Sequence, residues 1–341
     1  MPQSGPTVRA SILARFDQFL ADRSVALPPL LAAVGLDAED LADPDALISL
    51  NAVASLLENA AVETQDACIG LHFAASIPPG ASGLLGHLLL SAPTVREALE
   101  GVERYTGLVM SPISVSFAQE SGRGILEWKF PATFSAPRLQ YSGLTVGAFL
   151  IRLQQNVGLD IRPMAVELEH RPFDCAEAVR RIFGPRVRFN RPRNRMVFDT
   201  RTLNRQAPGV APGLYGLISQ LGDRMLEEQR QAADIVEQTR RLVAARLRNG
   251  QSDLDSIAGA FGISPRALQG RLKRAGTTFE AEAVAARKQL AESYLRDTGL
   301  SMTEIAMLLG FSELSAFTRA VQRWFGVSPK TFRIKARRRD E

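Results

Sequence analysis

The sequence is poor in the residues that most often carry catalysis and metal binding. Its 341 residues include two cysteines, three histidines and two tryptophans. It contains no HExxH, CxxC, GxSxG or phosphate-loop pattern, so zinc peptidase, dithiol redox, serine hydrolase and P-loop chemistry have no basis in it. Cys68 and Cys175 are far apart in sequence. They read as small buried apolar residues in a reducing compartment, without a disulfide. Of His72, His87 and His170, His87 follows Gly86 in an apolar stretch and reads as a hydrogen-bonded core residue rather than a haem or metal ligand. No cofactor is expected. The longest apolar stretch, residues 84–90, is interrupted by Gly86 and His87 and falls far short of the roughly 20 residues of a membrane span. Residues 1–6 lack the basic-then-apolar pattern of a signal peptide. The expectation is a cytoplasmic protein with no membrane partner.

What is present is a globular balance, 45% hydrophobic and 23% charged, in a chain long enough for two domains. Charge is unevenly distributed. Residues 234–341 carry 19 lysines and arginines against 12 aspartates and glutamates, a net +7, so residues 1–233 carry −2 of the chain's +5. A basic segment joined to a slightly acidic one is the charge footprint of nucleic-acid binding.

The first 200 residues alternate between helical and strand periods. Ile12, Leu13, Phe16 and Leu20 predict a helix over residues 8–20, Pro28-Pro29 breaks the chain, and residues 47–62 predict a second amphipathic helix. Pro93 and Thr94 open a helix carrying Val95, Leu99, Val102 and Tyr105. Residues 113–130 alternate around Ser121-Gly122-Arg123-Gly124 and predict a hairpin. A helix over 139–157 follows, then strands near 165–168, 187–189 and 196–198, with a helix near 176–182. Pro208, Gly209, Pro212 and Gly213 mark a linker. A helix over 214–231 then carries Leu217, Leu221, Met225 and Ile218, either for pairing with a second copy or for packing on its own domain.

From Asp234 onward the pattern is helical and contains two matching units. Ile257-Ala258, three residues, Gly262-Ile263-Ser264 is matched by Ile305-Ala306, three residues, Gly310-Phe311-Ser312. The small alanine lets two helices cross closely. The glycine supplies a left-handed turn. The apolar residue plugs the core, and the serine caps a second helix. This is the helix-turn-helix pattern, in which the second helix enters the major groove. Leu268 and Leu272 read as core in the first such helix, with Arg266, Gln269, Gly270 and Lys273 outward. Phe317, Val321 and Phe325 read as core in the other, with Leu314, Ser315, Thr318 and Arg319 outward. A connecting helix near 279–295 would set the two readers into successive major grooves, about 34 Å apart along the duplex.

These residues, and above all residues 310–320 with Arg323-Trp324-Phe325-Gly326-Val327-Ser328-Pro329, resemble the DNA-binding domain of the AraC family of bacterial transcription regulators. The resemblance covers roughly residues 234–335. It implies that Arg266, Gln269, Gly270 and Lys273, and Leu314, Ser315, Thr318 and Arg319, form the DNA-reading faces. Ser264, Arg271, Arg287, Ser312 and Arg323 would contact phosphates or support the fold. Gly270 departs from the family, which commonly has an arginine there, and predicts a weaker first reader. The basic tail Arg333, Lys335, Arg337, Arg338 and Arg339 would add nonspecific phosphate attraction. Residues 83–99 and 166–198 resemble, more loosely, the arabinose-binding-like sensor of one subgroup. That likeness implies a small-molecule effector, amino-acid- or amine-like. Arg152, Arg162 and Arg171 are alternative grips for a ligand carboxylate, and nothing in the sequence selects among them.

The fold class expected is therefore an α+β N-terminal sensor domain followed by an all-α double helix-turn-helix DNA-binding domain. The expected boundaries are 1–205 for the sensor, 206–232 for the linker and connecting helix, and 233–341 for the reader. The partners implied are double-stranded DNA, a small-molecule effector, a second copy in a homodimer, and RNA polymerase. Two other readings stand beside this one. One is a ligand-independent regulator governed by abundance or a protein partner. The other is a DNA alkyl-transfer repair enzyme, which would need a reactive cysteine in a Pro-Cys-His-type setting that neither Cys68 nor Cys175 has.

Overall fold

The stretch expected as one helix over residues 8–20 folds otherwise. It opens with strand β1 (Thr7–Arg9), continues as a 3-10 turn over Ala10–Leu13, and becomes α1 (Phe16–Ala21) only after Arg15, whose φ is +66°. The apolar spacing was real, since Leu13, Phe16 and Leu20 are buried. But β1 lies between β2 (Leu47–Ser49) and β3 (Met110–Ser111), antiparallel to both, and that pairing overrides local helical preference. The computed structural model describes residues 5–78, 83–211, 213–247 and 250–337. It divides into two units, Gln3–Leu226 and Glu227–Glu341.

In the first unit Pro28 and Pro29 sit in the opening turn of α2 (Leu27–Ala33), where a missing N–H is harmless. Ser49 caps α3 (Leu50–Glu63), its Oγ accepting from the Ala52 N–H at 3.3 Å. Helices α4 (Ile69–Ser76), α5 (Gly83–Ser91) and α6 (Val95–Val109) follow. Thr94 caps α6 as the sequence suggested, accepting from the Glu97 N–H. His87 on α5 is exposed rather than a core residue, because Leu88 and Leu89 take the buried side of that helix.

The expected hairpin is β4 (Ser114–Glu120) and β5 (Arg123–Lys129), paired from Ser114–Lys129 to Glu120–Arg123. Its two central residues, Ser121 and Gly122, both have positive φ (49° and 74°), the geometry that follows strand twist. Helix α7 spans Leu139–Val157, the residues its periodicity predicts. Then come β6 (Ala165–Glu167), α8 (Ala176–Phe183), β7 (Val187–Arg188), β8 (Asn194–Asp199) and the single turn α9 (Thr200–Leu203). The second sheet has the order β4-β5-β8-β6-β7 and is antiparallel except between β6 and β7. Alternation along β5 buries Leu126 and Trp128 on one face, beside Met196 and Phe198 of β8.

Cys68 and Cys175 are joined as a disulfide, their Cα atoms 6.1 Å apart, which corrects the expectation of two separate thiols. The cause is tertiary. Cys68 immediately precedes α4 and Cys175 immediately precedes α8, and both segments converge on α7 at Gly143. A Cβ there would touch Phe173 on one side and Leu71 on the other. Sequence separation carries no trace of that meeting. With both sulfurs joined, neither can act as the alkyl acceptor that the repair-enzyme reading required.

Helix α10 (Leu214–Arg246) is longer than predicted, 33 residues. Its first three turns pack on the first unit. The Tyr215 hydroxyl donates to Glu97 O at 2.8 Å, and the Tyr105 hydroxyl donates to Ser219 O at 3.0 Å and to Asp223 at 2.7 Å. Burial pushes the Tyr215 hydroxyl up to about 12. Ile218 and Met225 turn inward, while Leu214, Leu217 and Leu221 are exposed. Of the four apolar residues named from the sequence, Ile218 and Met225 thus face the core while Leu217 and Leu221 do not.

The second unit is helical: α11 (Leu254–Ala260), α12 (Pro265–Arg274), α13 (Phe279–Asp297), α14 (Met302–Leu308), α15 (Leu314–Phe325) and α16 (Pro329–Arg337), with the second half of α10. It has two cores. Ile257, Ala258, Leu268 and Leu272 pack with Val243 of α10, with Leu247 just past its end, and with Phe279, Ala283 and Ala286 of α13. Ile305, Ala306, Leu309, Phe317 and Val321 pack with Ala291 and Leu295, further along α13. Leu290 lies against both. Val284 of α13 is 40% exposed.

Candidate nucleic-acid interface and interior cavity

Each helix-turn-helix is built around a turn that only glycine adopts cheaply. After α11 the Gly262 N–H donates to Gly259 O and the Ile263 N–H to Ala258 O, at 3.0 and 3.1 Å. After α14 the Gly310 N–H donates to Met307 O and the Phe311 N–H to Ala306 O, both at 3.0 Å. These are two copies of the Schellman arrangement, which satisfies the last helical carbonyls. It needs left-handed φ at the glycine, and Gly262 and Gly310 have +67° and +74°. Ile263 and Phe311 pack against the first and second core, as the pattern required.

The helices preceding the turns are capped. Asp253 accepts from the Ser256 N–H at 2.9 Å, a bond that holds its carboxyl below the usual range. Ser301 and Glu304 form a reciprocal capping box on α14, and the Ser301 N–H likewise lowers the Glu304 carboxyl. For the following helices the two units differ. Ser264 caps α12, its Oγ accepting from the Ala267 N–H at 3.2 Å, and Pro265 occupies the first turn. Ser312 does not cap α15, which corrects the expectation. Glu313 takes the N-cap position without a side-chain cap bond, and its carboxylate instead accepts from the Ser315 hydroxyl at 2.9 Å. The second helix starts one residue later than the matching motif implies.

On α12, Arg266, Gln269 and Lys273 are exposed, Gly270 is half-buried, and Leu268 and Leu272 are buried opposite them. Arg271 is exposed in the last turn with Lys273 and Arg274. On α15, Leu314, Ser315 and Arg319 are exposed and Thr318 is half-buried, with Phe317, Ala320 and Val321 turned to the core. The Thr318 hydroxyl donates to Leu314 O at 2.9 Å. Arg319 is the charged member of that face, and Arg323 is exposed one turn on.

Arg287 is half-buried on α13. Its Nε donates to Leu309 O at 3.3 Å, and burial lowers its pKa. That bond ties α13 to the end of α14, a supporting role. Arg333 is also drawn into the fold, donating to Leu300 O at 2.7 Å. Lys335 is exposed on α16, and Arg338 and Arg339 lie outside the described residues. Sequence reasoning missed Glu282, which is buried on α13 and bonded to Arg240 of α10 and to the Thr277 hydroxyl. A lone glutamate in an otherwise unremarkable helix gives no local signal.

Gly270 is the weak point of α12. A Cβ there would meet nothing within 4 Å, and its φ is not left-handed. Gly270→Ala should therefore stabilise the first helix-turn-helix by about 1 kcal/mol. Thermal denaturation followed by circular dichroism should rise by roughly 3–6 °C; an unchanged or lower midpoint contradicts the reading.

The first unit holds a half-open cavity of about 350 Å³. Leu126, Trp128 and Met196 of the larger sheet line it, with Leu84, Leu85 and Leu89 of α5 and Leu144, Ala148 and Phe149 of α7. Of the three arginines considered from sequence, only Arg152 lines the cavity, and it is 2% exposed. Its Nη2 donates to Ile77 O at 2.6 Å and its Nη1 to Gln155 Oε1 at 2.8 Å. Arg162 binds Leu159 O and Ile161 O, and Arg171 pairs with Asp174 at the surface. Among the described residues no cluster of three or more His, Cys, Asp or Glu could hold a metal, and no helix is long and apolar enough to cross a membrane.

Comparison with known proteins bears on both units. Residues 25–207 match the family described as the N-terminal arabinose-binding domain of the AraC transcription regulator, and residues 257–335 match a helix-turn-helix domain family. The chain is 26% identical over 337 residues to the HTH-type transcriptional regulator VirS of Mycobacterium tuberculosis, covering 96% of this chain and 97% of that one. It is 25% identical over 320 residues to the ornithine utilization regulator of Pseudomonas aeruginosa, covering 92% of each. The crystal structure of the transcriptional regulator CdpR from Pseudomonas aeruginosa covers 92% of this chain and 98% of its own, at 19% identity and a TM-score of 0.44. With its sensor-family match spanning more than half of the residues and its paired helix-turn-helix units behind it, the chain belongs to the AraC family of DNA-binding transcription regulators.

Proposed function

We propose that α12 and α15 read two segments of one operator, in major grooves about one turn apart, and that a small molecule held in the first unit governs this reading. The observation that carries the proposal is the pair of exposed faces, Arg266-Gln269-Lys273 and Leu314-Ser315-Arg319 with half-buried Thr318 between them, each opposite a closed core. Arginine suits guanine and glutamine suits adenine, each through two parallel hydrogen bonds. Arg271 and Arg323, exposed in the last turns of the two helices, suit phosphate contact. The second face is the stronger reader. Arg319 supplies its charged donor, while Gly270 removes a side chain from the first.

Arg319→Ala should cost about 1–3 kcal/mol on the matched operator, a 5- to 150-fold loss, and little on scrambled DNA. Gln269→Ala should cost less. Equal losses on matched and scrambled duplexes would make Arg319 a phosphate contact instead.

The cavity supports effector control over the ligand-independent alternative, since a pocket of this size suits a small molecule. The coupling would be a free energy shared between the two units. Exposed Leu214, Leu217 and Leu221 at the start of α10 favour action as a homodimer. RNA polymerase is the expected partner of such a dimer at a promoter, and the cytoplasm its location. Footprinting with and without ligand tests both claims. An operator that is never protected defeats the reading of DNA, and protection that no cavity ligand alters defeats the effector.

A further inference from the structure

The cavity is far more apolar than an amine, amino acid or sugar requires, and its polar groups identify a different ligand. Among the described residues, Asp45 is the one carboxylate in its lining, and it is bound to Arg9 at 2.8 Å. A buried ammonium ion would therefore find no free counter-charge, and burying an uncompensated charge is very costly. The cations are engaged as well. Arg9 Nε donates to Leu108 O at 2.7 Å, and Arg152 is held by Ile77 O and Gln155. The Thr106 hydroxyl donates to Val102 O and the Thr145 hydroxyl to Tyr141 O. Among the described residues, beyond the Ser11 hydroxyl and the Trp128 indole N–H, little remains for the several hydroxyls of a sugar, each of which would be desolvated at about 1–3 kcal/mol if unpaired.

Tyr141 is the exception. It lines the cavity, is 2% exposed, and its hydroxyl donates to Met110 Sδ at 3.0 Å, a second lining residue. A thioether is a weak acceptor. Burial raises the phenol further from ionisation, so it stays a donor.

We propose that the cavity takes an uncharged, largely hydrocarbon ligand bearing one hydrogen-bond acceptor, which receives the Tyr141 hydroxyl in place of Met110 Sδ. The inference rests on the effector reading above and replaces the amine-like ligand implied by family resemblance. Size follows from volume. An apolar cavity of about 150 Å³ accommodates benzene, so 350 Å³ holds roughly a dozen non-hydrogen atoms by proportion.

The test is calorimetric titration of the full-length protein with four probes: undecan-2-one, decanoate, decylammonium and L-arabinose. Undecan-2-one should bind at least tenfold more tightly than the other three. Tyr141→Phe, which keeps the ring, should weaken the ketone about five- to tenfold and leave the circular dichroism spectrum unchanged. Ala148→Phe, adding a ring at the cavity wall, should abolish ketone binding and serves if the first variant misfolds. Tighter binding of decanoate, decylammonium or arabinose overturns the ligand class, as does a folded Tyr141→Phe protein with unchanged ketone affinity. Footprints taken with each bound probe separate this from the broader reading. If decylammonium or arabinose alters protection, the ligand class fails and effector control stands. If the ketone binds and protection never changes, effector control fails while the ligand class stands. If no probe binds, the ligand class fails, and effector control is decided by the footprinting above.

Discussion

Phe317→Ala should remove about 3–5 kcal/mol from the second core of the DNA-binding unit and erase half of the operator footprint. Phe317 has no exposed surface and packs its ring 5.8 Å from that of Phe311, the residue that follows the second Schellman turn. Around them stand Ile305, Ala306, Leu309 and Val321. Truncation leaves a cavity under both helices of the motif, where domains have only about 5–15 kcal/mol of stability in all. The first core shares only flanking Leu290 with it and is otherwise built from different side chains. The expected result is therefore selective. Residues on α15 lose their placement while α12 keeps its own, and protection shrinks to one major-groove segment. Leu268→Ala, also at a site with no exposed surface, should remove the other segment. Trp324 lies beside Phe311, so in a Trp128→Phe background its fluorescence reports the loss directly. Loss of both segments in each variant would mean that α13 transmits the damage and that the two cores fold as one.

Much of this second unit was legible because its constraints are local. A left-handed turn needs glycine at one position, a tight helix crossing needs alanine, and a plug needs an apolar residue. Ile257-Ala258…Gly262-Ile263 and Ile305-Ala306…Gly310-Phe311 meet all three. The outward and inward residues of α12 and α15 follow from helical period alone. Likewise the β4–β5 hairpin and α7 follow from periods of 2 and 3.6. The failures share a different cause. Residues 8–13 have helical apolar spacing yet form a strand and a 3-10 turn, because β2 and β3, from 38 to 104 residues away, supply the pairing. Ser312 was read as a cap by analogy with Ser264, but Glu313 competes for the same position. The cavity is lined by residues from residue 9 to residue 225, so no window of sequence contains it. That is why the sequence could offer Arg152, Arg162 and Arg171 with nothing to choose among them.

The cysteines are the sharpest case of nonlocal structure, and they carry the other large expected effect. Cys68→Ala with Cys175→Ala should lower the stability of the first unit by about 2–4 kcal/mol. The bridge closes a loop across 107 residues, and for a loop of about 100 residues the lost chain entropy alone is worth about 4.7 kcal/mol. The native geometry suits the bond, since a Cα separation of 6.1 Å lies within the usual range of about 4.4–6.8 Å. The bridge pins the starts of α4 and α8 against the same stretch of α7, where Gly143 is hemmed in by Leu71 and Phe173. That stretch begins with Tyr141, so loosening it reaches the cavity wall as well as the core. In a Trp324→Phe background, Trp128 becomes the one tryptophan of the chain and sits in the first unit, and urea unfolding followed by its fluorescence measures the change. Dithiothreitol should shift the parent protein to the midpoint of the alanine variant and leave that variant where it is. Thiol titration of the denatured, unreduced protein should find no free thiol and, after reduction, two. Two thiols before reduction would remove the bridge from the account and return Cys68 and Cys175 to the role the sequence suggested, small buried side chains that pack without bonding.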